Sequence, residues 1–179
     1  MNTDKQIEIP LSKGKLTIML IGSVAFVAIG LWMVISQPTF WGGLISNQLL
    51  ILITGFVSIL FFGLCSLVLV QKLRSNDPGL IIDKTGITDN ASGLSAGHIP
   101  WNDIKDIKIS QVINQKILMI VVDNPNKYIS RQPNVLKRKA AELNFRTYGS
   151  PISIISNSLT TNFDELKTLL LTQLKINKP

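Results

Sequence analysis

The chain has 179 residues and a net charge of +7; 46% of its residues are hydrophobic and only 16% are charged. This composition is apolar for a soluble domain of this size, so it indicates that part of the chain lies in lipid. The single cysteine, Cys65, excludes an intrachain disulfide and a metal cluster built on thiolates.

Two uncharged apolar segments follow the short N-terminal region, at residues 16–36 and 49–70. At about 1.5 Å per residue each is roughly as long as the hydrocarbon core is thick, which predicts two transmembrane helices in a hairpin at residues 16–73. A cleaved signal peptide is the alternative for the first segment. Its apolar run exceeds the usual length of about 7–15 residues, so we expect no cleavage.

The cations that flank the two segments predict the orientation of the hairpin. They are Lys5, Lys13, Lys15, Lys72 and Arg74. The connecting loop, residues 37–48, contains no charge, so the positive-inside rule predicts that both termini face the cytoplasm. Phe40 and Trp41 in this loop suit the outer membrane interface.

Small residues within the apolar segments predict close packing of the two helices. They are Gly22, Ala25 and Ala28 on the first helix and Thr54 and Ser58 on the second. Neither segment contains an ionisable residue between its ends, so the sequence predicts no proton or ion pathway through the hairpin.

The sequence predicts four parts in chain order: an N-terminal segment at residues 1–15, the hairpin, a linker at residues 74–79 and a cytosolic domain at residues 80–179. The linker contains turn-forming residues. The stretch "LIIDKTGITD" predicts a β-hairpin with Gly86 at positive φ in the turn. The alternating "IKDIKISQVI" and the apolar "KILMIVVD" add two strands. Residues 80–123 therefore predict an antiparallel meander.

Helical patterns follow the meander. Pro133 suits a first helical turn, and the spacing of Leu136, Ala140 and Leu143 predicts an apolar stripe. The stretch "PISIIS" predicts a further strand. The C-terminal helix has Asn162 as its expected N-cap and Glu165 in capping-box position. Its expected apolar stripe consists of Phe163, Leu166, Leu169, Leu170 and Leu174.

The order "LIIDKTGITDN", "IPWNDIKDIKI", "KILMIVV" and a helix after "NSLTTNFDEL" resembles the bacterial pleckstrin-homology-like (PH-like) domains of small membrane proteins. The whole layout resembles a family of uncharacterised bacterial proteins with two transmembrane helices. The resemblance implies a membrane α-helical hairpin followed by an α+β domain. In that domain an antiparallel curled sheet, a partial barrel of PH-like type, is closed by the C-terminal amphipathic helix. The chain departs from this pattern around Lys137, where an inserted basic helix interrupts the strand series of a minimal PH-like barrel. The resemblance implies no catalytic chemistry.

The stretch "HIPWNDIKDIKI" holds the only histidine, His98, near Asp103 and Asp106. No serine elbow, phosphate-binding glycine loop or second histidine accompanies them, so we expect a turn and a strand, with His98 in a solvated loop. One histidine with scattered carboxylates does not match recognised metal-ligand spacings, so we expect no metal, no cofactor and no enzymatic activity.

The excess positive charge of the domain lies in residues 127–146. The basic residues there are Lys127, Arg131, Lys137, Arg138, Lys139 and Arg146. We expect this segment to bind anionic lipid headgroups or an acidic protein partner, with a simple solvated helix face as the alternative. Nucleic acid is not expected, because no reading motif is present.

Two other roles remain open from the sequence. The chain could be an accessory or regulatory subunit of a larger membrane complex, or form a homo-oligomer, through its transmembrane hairpin. The less favoured role is an enzyme whose site is assembled from groups that the sequence does not pair.

Overall fold

The structure is a computed structural model that describes residues 6–37, 47–112 and 114–178. The chain divides into two compact units. One is the helical hairpin, Lys13–Asn76, and the other combines the segments before and after it into a sheet unit. Part of the predicted outer loop, with Phe40 and Trp41, lies outside the described residues.

The hairpin unit consists of two helices, α1 (Lys13–Ser36) and α2 (Gln48–Arg74). Both are long and apolar enough to cross a membrane, and most of their large apolar side chains are exposed around the pair. Lipid-facing helices have this distribution because hydrocarbon is as apolar as the side chains themselves.

Small and hydroxyl-bearing residues bring α1 and α2 together. A Cβ atom added to Gly30 would lie 2.9 Å from the carbonyl oxygen of Gly55. The close approach of the two backbones therefore requires glycine at both positions. The hydroxyls of Ser23 and Ser66 are 2.7 Å apart, and Ser58 donates to the carbonyl of Phe26 at 3.0 Å. Such interhelical bonds satisfy polar groups that have no water to bind in lipid.

The structure corrects most of the small residues predicted for this contact. Gly22, Ala25 and Ala28 on α1, and Thr54 on α2, are exposed. The buried residues of α1 recur every seven positions, at Leu16, Ser23 and Gly30. A spacing of three moves around the helix, whereas a spacing of seven stays on the face towards α2.

The first sheet of the sheet unit has four antiparallel strands in sequential order. They are β1 (Ile7–Ile9), β2 (Leu80–Ile82), β3 (Gly86–Asp89) and β4 (Gly97–Pro100). In β1, Ile7 pairs with Ile82 and Ile9 pairs with Leu80. The chain therefore leaves this sheet before α1 and returns to it after α2, a pairing that the sequence analysis did not predict.

The connections between the sheet and the hairpin are short. Three residues separate β1 from α1, and five separate α2 from β2. The first connection is held by backbone bonds from Ser12 N to Ser158 O, at 2.8 Å, and from Thr160 N to Pro10 O, at 3.1 Å. Both ends of the hairpin thus emerge from one folded unit.

The second sheet has three antiparallel strands in the order β5-β6-β7. They are β5 (Ile104–Val112), β6 (Gln115–Val122) and β7 (Ile152–Ile154). A short 3-10 turn at Trp101–Asp103 separates it from the first sheet. Within the described ranges no strand pairing joins the two sheets, so the predicted meander is divided and forms no closed barrel.

Three helices complete the sheet unit: α3 (Pro125–Ser130), α4 (Val135–Tyr148) and α5 (Phe163–Asn177). The cap of α4 is Asn134, whose side chain accepts from Lys137 N at 2.8 Å, so Pro133 precedes the helix and does not lie in its first turn. The capping box predicted for α5 from Asn162 and Glu165 is confirmed.

The core of the unit is apolar and continuous across both sheets and α5. Leu166 and Leu170 of α5 are fully buried in it, and Phe163, Leu169 and Leu174 pack against it, which confirms the predicted stripe. Gly86 does not take the positive φ that we predicted. A Cβ atom there would lie 2.1 Å from the carbonyl oxygen of Ile99, so the residue is needed for close approach of β4.

Substitutions in β1 test whether the N-terminal strand stabilises the sheet unit. Ile9 is 7% exposed and belongs to the core, whereas its neighbour Glu8 is exposed. We expect Ile9→Ala to lower the free energy of unfolding of this unit by about 2 kcal/mol and Glu8→Ala by less than about 0.5 kcal/mol. Pulse proteolysis of the full chain in mild detergent and urea measures both; equal effects would contradict the pairing.

Candidate binding surface on the basic helices

The six predicted basic residues fall into two groups in the structure. Lys127 lies on α3 and Arg131 directly follows it, while Lys137, Arg138, Lys139 and Arg146 lie on α4. The two groups have different surroundings. The first makes contacts within the sheet unit, and the second is on its surface.

Lys127 and Tyr128 converge on one carboxylate. Lys127 Nζ and the Tyr128 hydroxyl each lie 2.6 Å from Oδ2 of Asp103 and donate to it. The bond from Lys127, with that from Tyr128, holds the pKa of Asp103 below its usual value. Burial and the bond to Asp103 raise the pKa of Tyr128, which is neutral and acts as a donor.

Arg131 also has partners in the sheet unit. Its guanidinium group lies 4.8 Å from the ring centroid of Tyr128, and Nη1 donates to the backbone carbonyl of His98 at 3.1 Å. A cation stacked on an aromatic ring and bonded to a strand carbonyl fixes the turn between α3 and α4. Lys127 and Arg131 therefore attach the helices to β4 and to the 3-10 turn.

The buried side of α4 is defined by Ala141, which is fully buried where the helix packs on α3 and β7. Lys137, four residues earlier, is half-buried on this side, and Arg138 is exposed beside it. Alanine permits the close approach of the helix, because it has no side chain beyond Cβ.

The side of α4 opposite Ala141 mixes basic and apolar residues. We call it the outer face of α4, and it consists of Val135, Leu136, Lys139, Leu143 and Arg146. Leu136 is 79% exposed and Leu143 is 64% exposed. The predicted apolar stripe of Leu136, Ala140 and Leu143 is therefore not a core face, because the cap at Asn134 and the packing of Ala141 turn it outward.

Cations on α4 have no carboxylate partner within the part of the chain that the structure describes. The ion pairs found there join Lys127 to Asp103 and Lys105 to Asp123. With Glu142 as its acidic residue, α4 has a net charge of +3. The helix thus presents positive charge that is available to an anionic partner.

His98 lies in β4 and not in the loop that we predicted, although its side chain is exposed as expected. Its Nδ1 is 3.1 Å from the hydroxyl of Thr88, and its Nε2 is 3.4 Å from that of Thr85. The ring nitrogens therefore face two threonine hydroxyls, and among the described residues no hydrogen bond joins the ring to a carboxylate.

One recess in the sheet unit is lined mainly by polar side chains. This recess of about 290 Å³ has one titratable lining residue, Lys116, whose Nζ lies 5.6 Å from the ring centroid of Phe163. The remaining lining residues are Asn114, Gln115, Ser156 and Asn157. Within the described ranges no group of three or more His, Cys, Asp or Glu residues could hold a metal ion.

The contact around Asp103 predicts a specific response to acid. Because its pKa is lowered in the folded state, Asp103 contributes stability that is present above about pH 4 and is lost as the pH falls through the folded value. We expect Asp103→Asn to lower the free energy of unfolding at neutral pH by about 1 kcal/mol and to weaken its decline in acid.

Asp123→Asn is the matched control, because it removes an exposed ion pair with Lys105. Asp123→Asn should leave the acid dependence of stability due to Asp103 intact. Asp83, whose pKa the Thr85 hydroxyl lowers, should keep its own contribution to that dependence in both variants. Unfolding of the full chain in detergent, followed from pH 7 down to about pH 3, measures the effect. Identical pH profiles for the two variants would contradict the role assigned to Asp103.

No protein-family model, no curated protein and no solved structure matches the chain.

Proposed function

We propose that the sheet unit is a non-catalytic binding module that works at the cytoplasmic surface of the membrane crossed by α1 and α2. Its ligand is the anionic headgroup layer of that membrane. The observation that carries the proposal is the outer face of α4, where Lys139 and Arg146 are exposed without a carboxylate partner among the described residues.

The proposed orientation rests on the two connections to the hairpin. Because β1 and β2 pair in one sheet, the start of α1 and the end of α2 lie on the same side of any membrane that the helices cross. Lys13 and Lys15 lie at the start of α1, and Lys72 and Arg74 at the end of α2, whereas residues 37–48 have no charge. The positive-inside rule then favours the cytoplasmic side of the inner membrane.

The PH-like fold belongs to the same proposal. Two successive antiparallel meanders of four and three strands, followed by a C-terminal helix whose leucines enter the core, support it. The segment with α3 and α4 lies between β6 and β7 and departs from the strand series of a minimal PH-like barrel.

The energy available to such a surface is modest but sufficient. A basic side chain near an anionic membrane gains about 1 kcal/mol, and this gain decreases beyond a Debye length of about 10 Å. The connections of three and five residues keep the sheet unit close to the bilayer. Docking is therefore intramolecular, and a few kcal/mol can shift its equilibrium strongly.

An environment-sensitive dye on a cysteine at Thr147, an exposed position of α4, tests the proposal. The full chain, with Cys65→Ser to remove the native thiol, is placed in nanodiscs of phosphatidylcholine alone or mixed with phosphatidylglycerol. We expect the dye to report a less polar environment in the anionic discs, and raising the salt to about 1 M to reduce the difference by screening.

Two pairs of charge variants test whether docking depends on the cations of α4 in particular. Lys139→Ala with Arg146→Ala should lower the ratio of docked to undocked chains by about tenfold or more. Lys108→Ala with Lys175→Ala removes the same charge from exposed positions outside α4 and should change the ratio little. Equal losses for the two pairs, or no dependence on anionic lipid, would contradict the proposal and favour an acidic protein partner.

A further inference from the structure

Exposed apolar side chains in the sheet unit are concentrated on α4. In its described residues, six large hydrophobic side chains are exposed, and four of them belong to this one helix. These four are Val135, Leu136, Leu143 and Phe145, and the other two are Ile109 and Ile176. Single exposed apolar residues are ordinary on protein surfaces, but a cluster on one helix indicates an interaction site.

The outer face of α4 places the leucines between the cations. Leu136, Lys139, Leu143 and Arg146 follow one another at spacings of three, four and three, so they form one stripe along the helix. Leu136 and Leu143 are two turns apart and more exposed than any other large apolar residue of the sheet unit except Val135. A basic helix face that only contacts water would not need exposed leucines between its cations.

The chemistry of this face matches the headgroup region of an anionic bilayer. That region offers phosphates to cations and, directly beneath them, acyl chains to apolar groups. Basic amphipathic helices bury their apolar side about 5–10 Å into this boundary, while long basic side chains extend back to the phosphates. Connections of three and five residues join the sheet unit, which contains α4, to the helices proposed to cross this bilayer.

We infer that α4 docks as an interfacial helix, with Leu136 and Leu143 inserted at the boundary between headgroups and acyl chains and with Lys139 and Arg146 at the phosphates. The inference rests on the proposed function and extends it from charge attraction to insertion. It predicts two components of docking: one that salt screens and one, due to the leucines, that salt does not remove.

Spin labels on the outer face of α4 test the depth of insertion. Cysteines replace Leu136 or Leu143, one at a time, in the full chain with Cys65→Ser, and the protein is reconstituted in bilayers that contain phosphatidylglycerol. We expect labels at both positions to collide with oxygen, which dissolves in lipid, and to be protected from a water-soluble nickel complex. Labels at Ile109 and Ile176 are the controls and should remain accessible to nickel.

Three outcomes of this measurement are distinguishable. Oxygen access with nickel protection at 136 and 143 supports insertion. Nickel access at both positions, with dye docking still dependent on Lys139 and Arg146, overturns insertion and leaves the proposed function in place. Protection from both oxygen and nickel overturns insertion in favour of a protein contact, either with a second copy or with another partner.

A matched pair of variants tests the energetic contribution of the leucines. Leu136→Ser with Leu143→Ser should reduce the ratio of docked to undocked chains by about tenfold per leucine and should abolish the docking that persists at about 1 M salt. Ile109→Ser with Ile176→Ser replaces two exposed apolar residues elsewhere and should preserve both components. If the leucine pair changes docking no more than the isoleucine pair, the inference is wrong.

Discussion

The pairing of β1 with β2 is the constraint on which the rest of the structure depends. It closes the chain on itself: Ile9 and Leu80 are neighbours in one sheet, although the whole helical hairpin lies between them in sequence. A hairpin inserted into a sheet in this way must begin and end at the same surface. The sheet unit is consequently joined to the hairpin by two short connections, of three and five residues.

Attachment at two points changes what a weakly binding surface can achieve. Free in solution, a helix with a net charge of +3 would bind anionic lipid poorly at physiological salt, since each cation contributes little and is screened. Under the proposed function, the same helix is tethered to the bilayer by the hairpin and loses little further translational freedom on docking. The internal contacts of Asp103, Lys127 and Arg131 attach α3 and the turn before α4 to the rest of the sheet unit.

Local signals predicted much of the fold, and tertiary contacts determined the remainder. The apolar runs, the alternating strands and the capping box of Asn162 each lie within a few residues of one another, so the sequence could reveal them. The strand β1 has three residues and a distant partner, which no local pattern indicates. On α4 the spacing of Leu136 and Leu143 is that of a core stripe, yet the packing of Ala141 selects the opposite side. Lys127 and Asp103 are likewise 24 residues apart.

The most direct test of the pairing of β1 with β2 is the side of the membrane from which two engineered cysteines react. Glu8→Cys lies in β1 and Lys175→Cys lies in α5; both positions are exposed and both belong to the sheet unit. In the full chain with Cys65→Ser, an impermeant maleimide is applied to sealed right-side-out or inverted inner-membrane vesicles. We predict that both cysteines react only in inverted vesicles, from the cytoplasmic side. Reaction of the two from opposite sides would show that β1 and β2 cannot pair in the membrane, and would contradict the account.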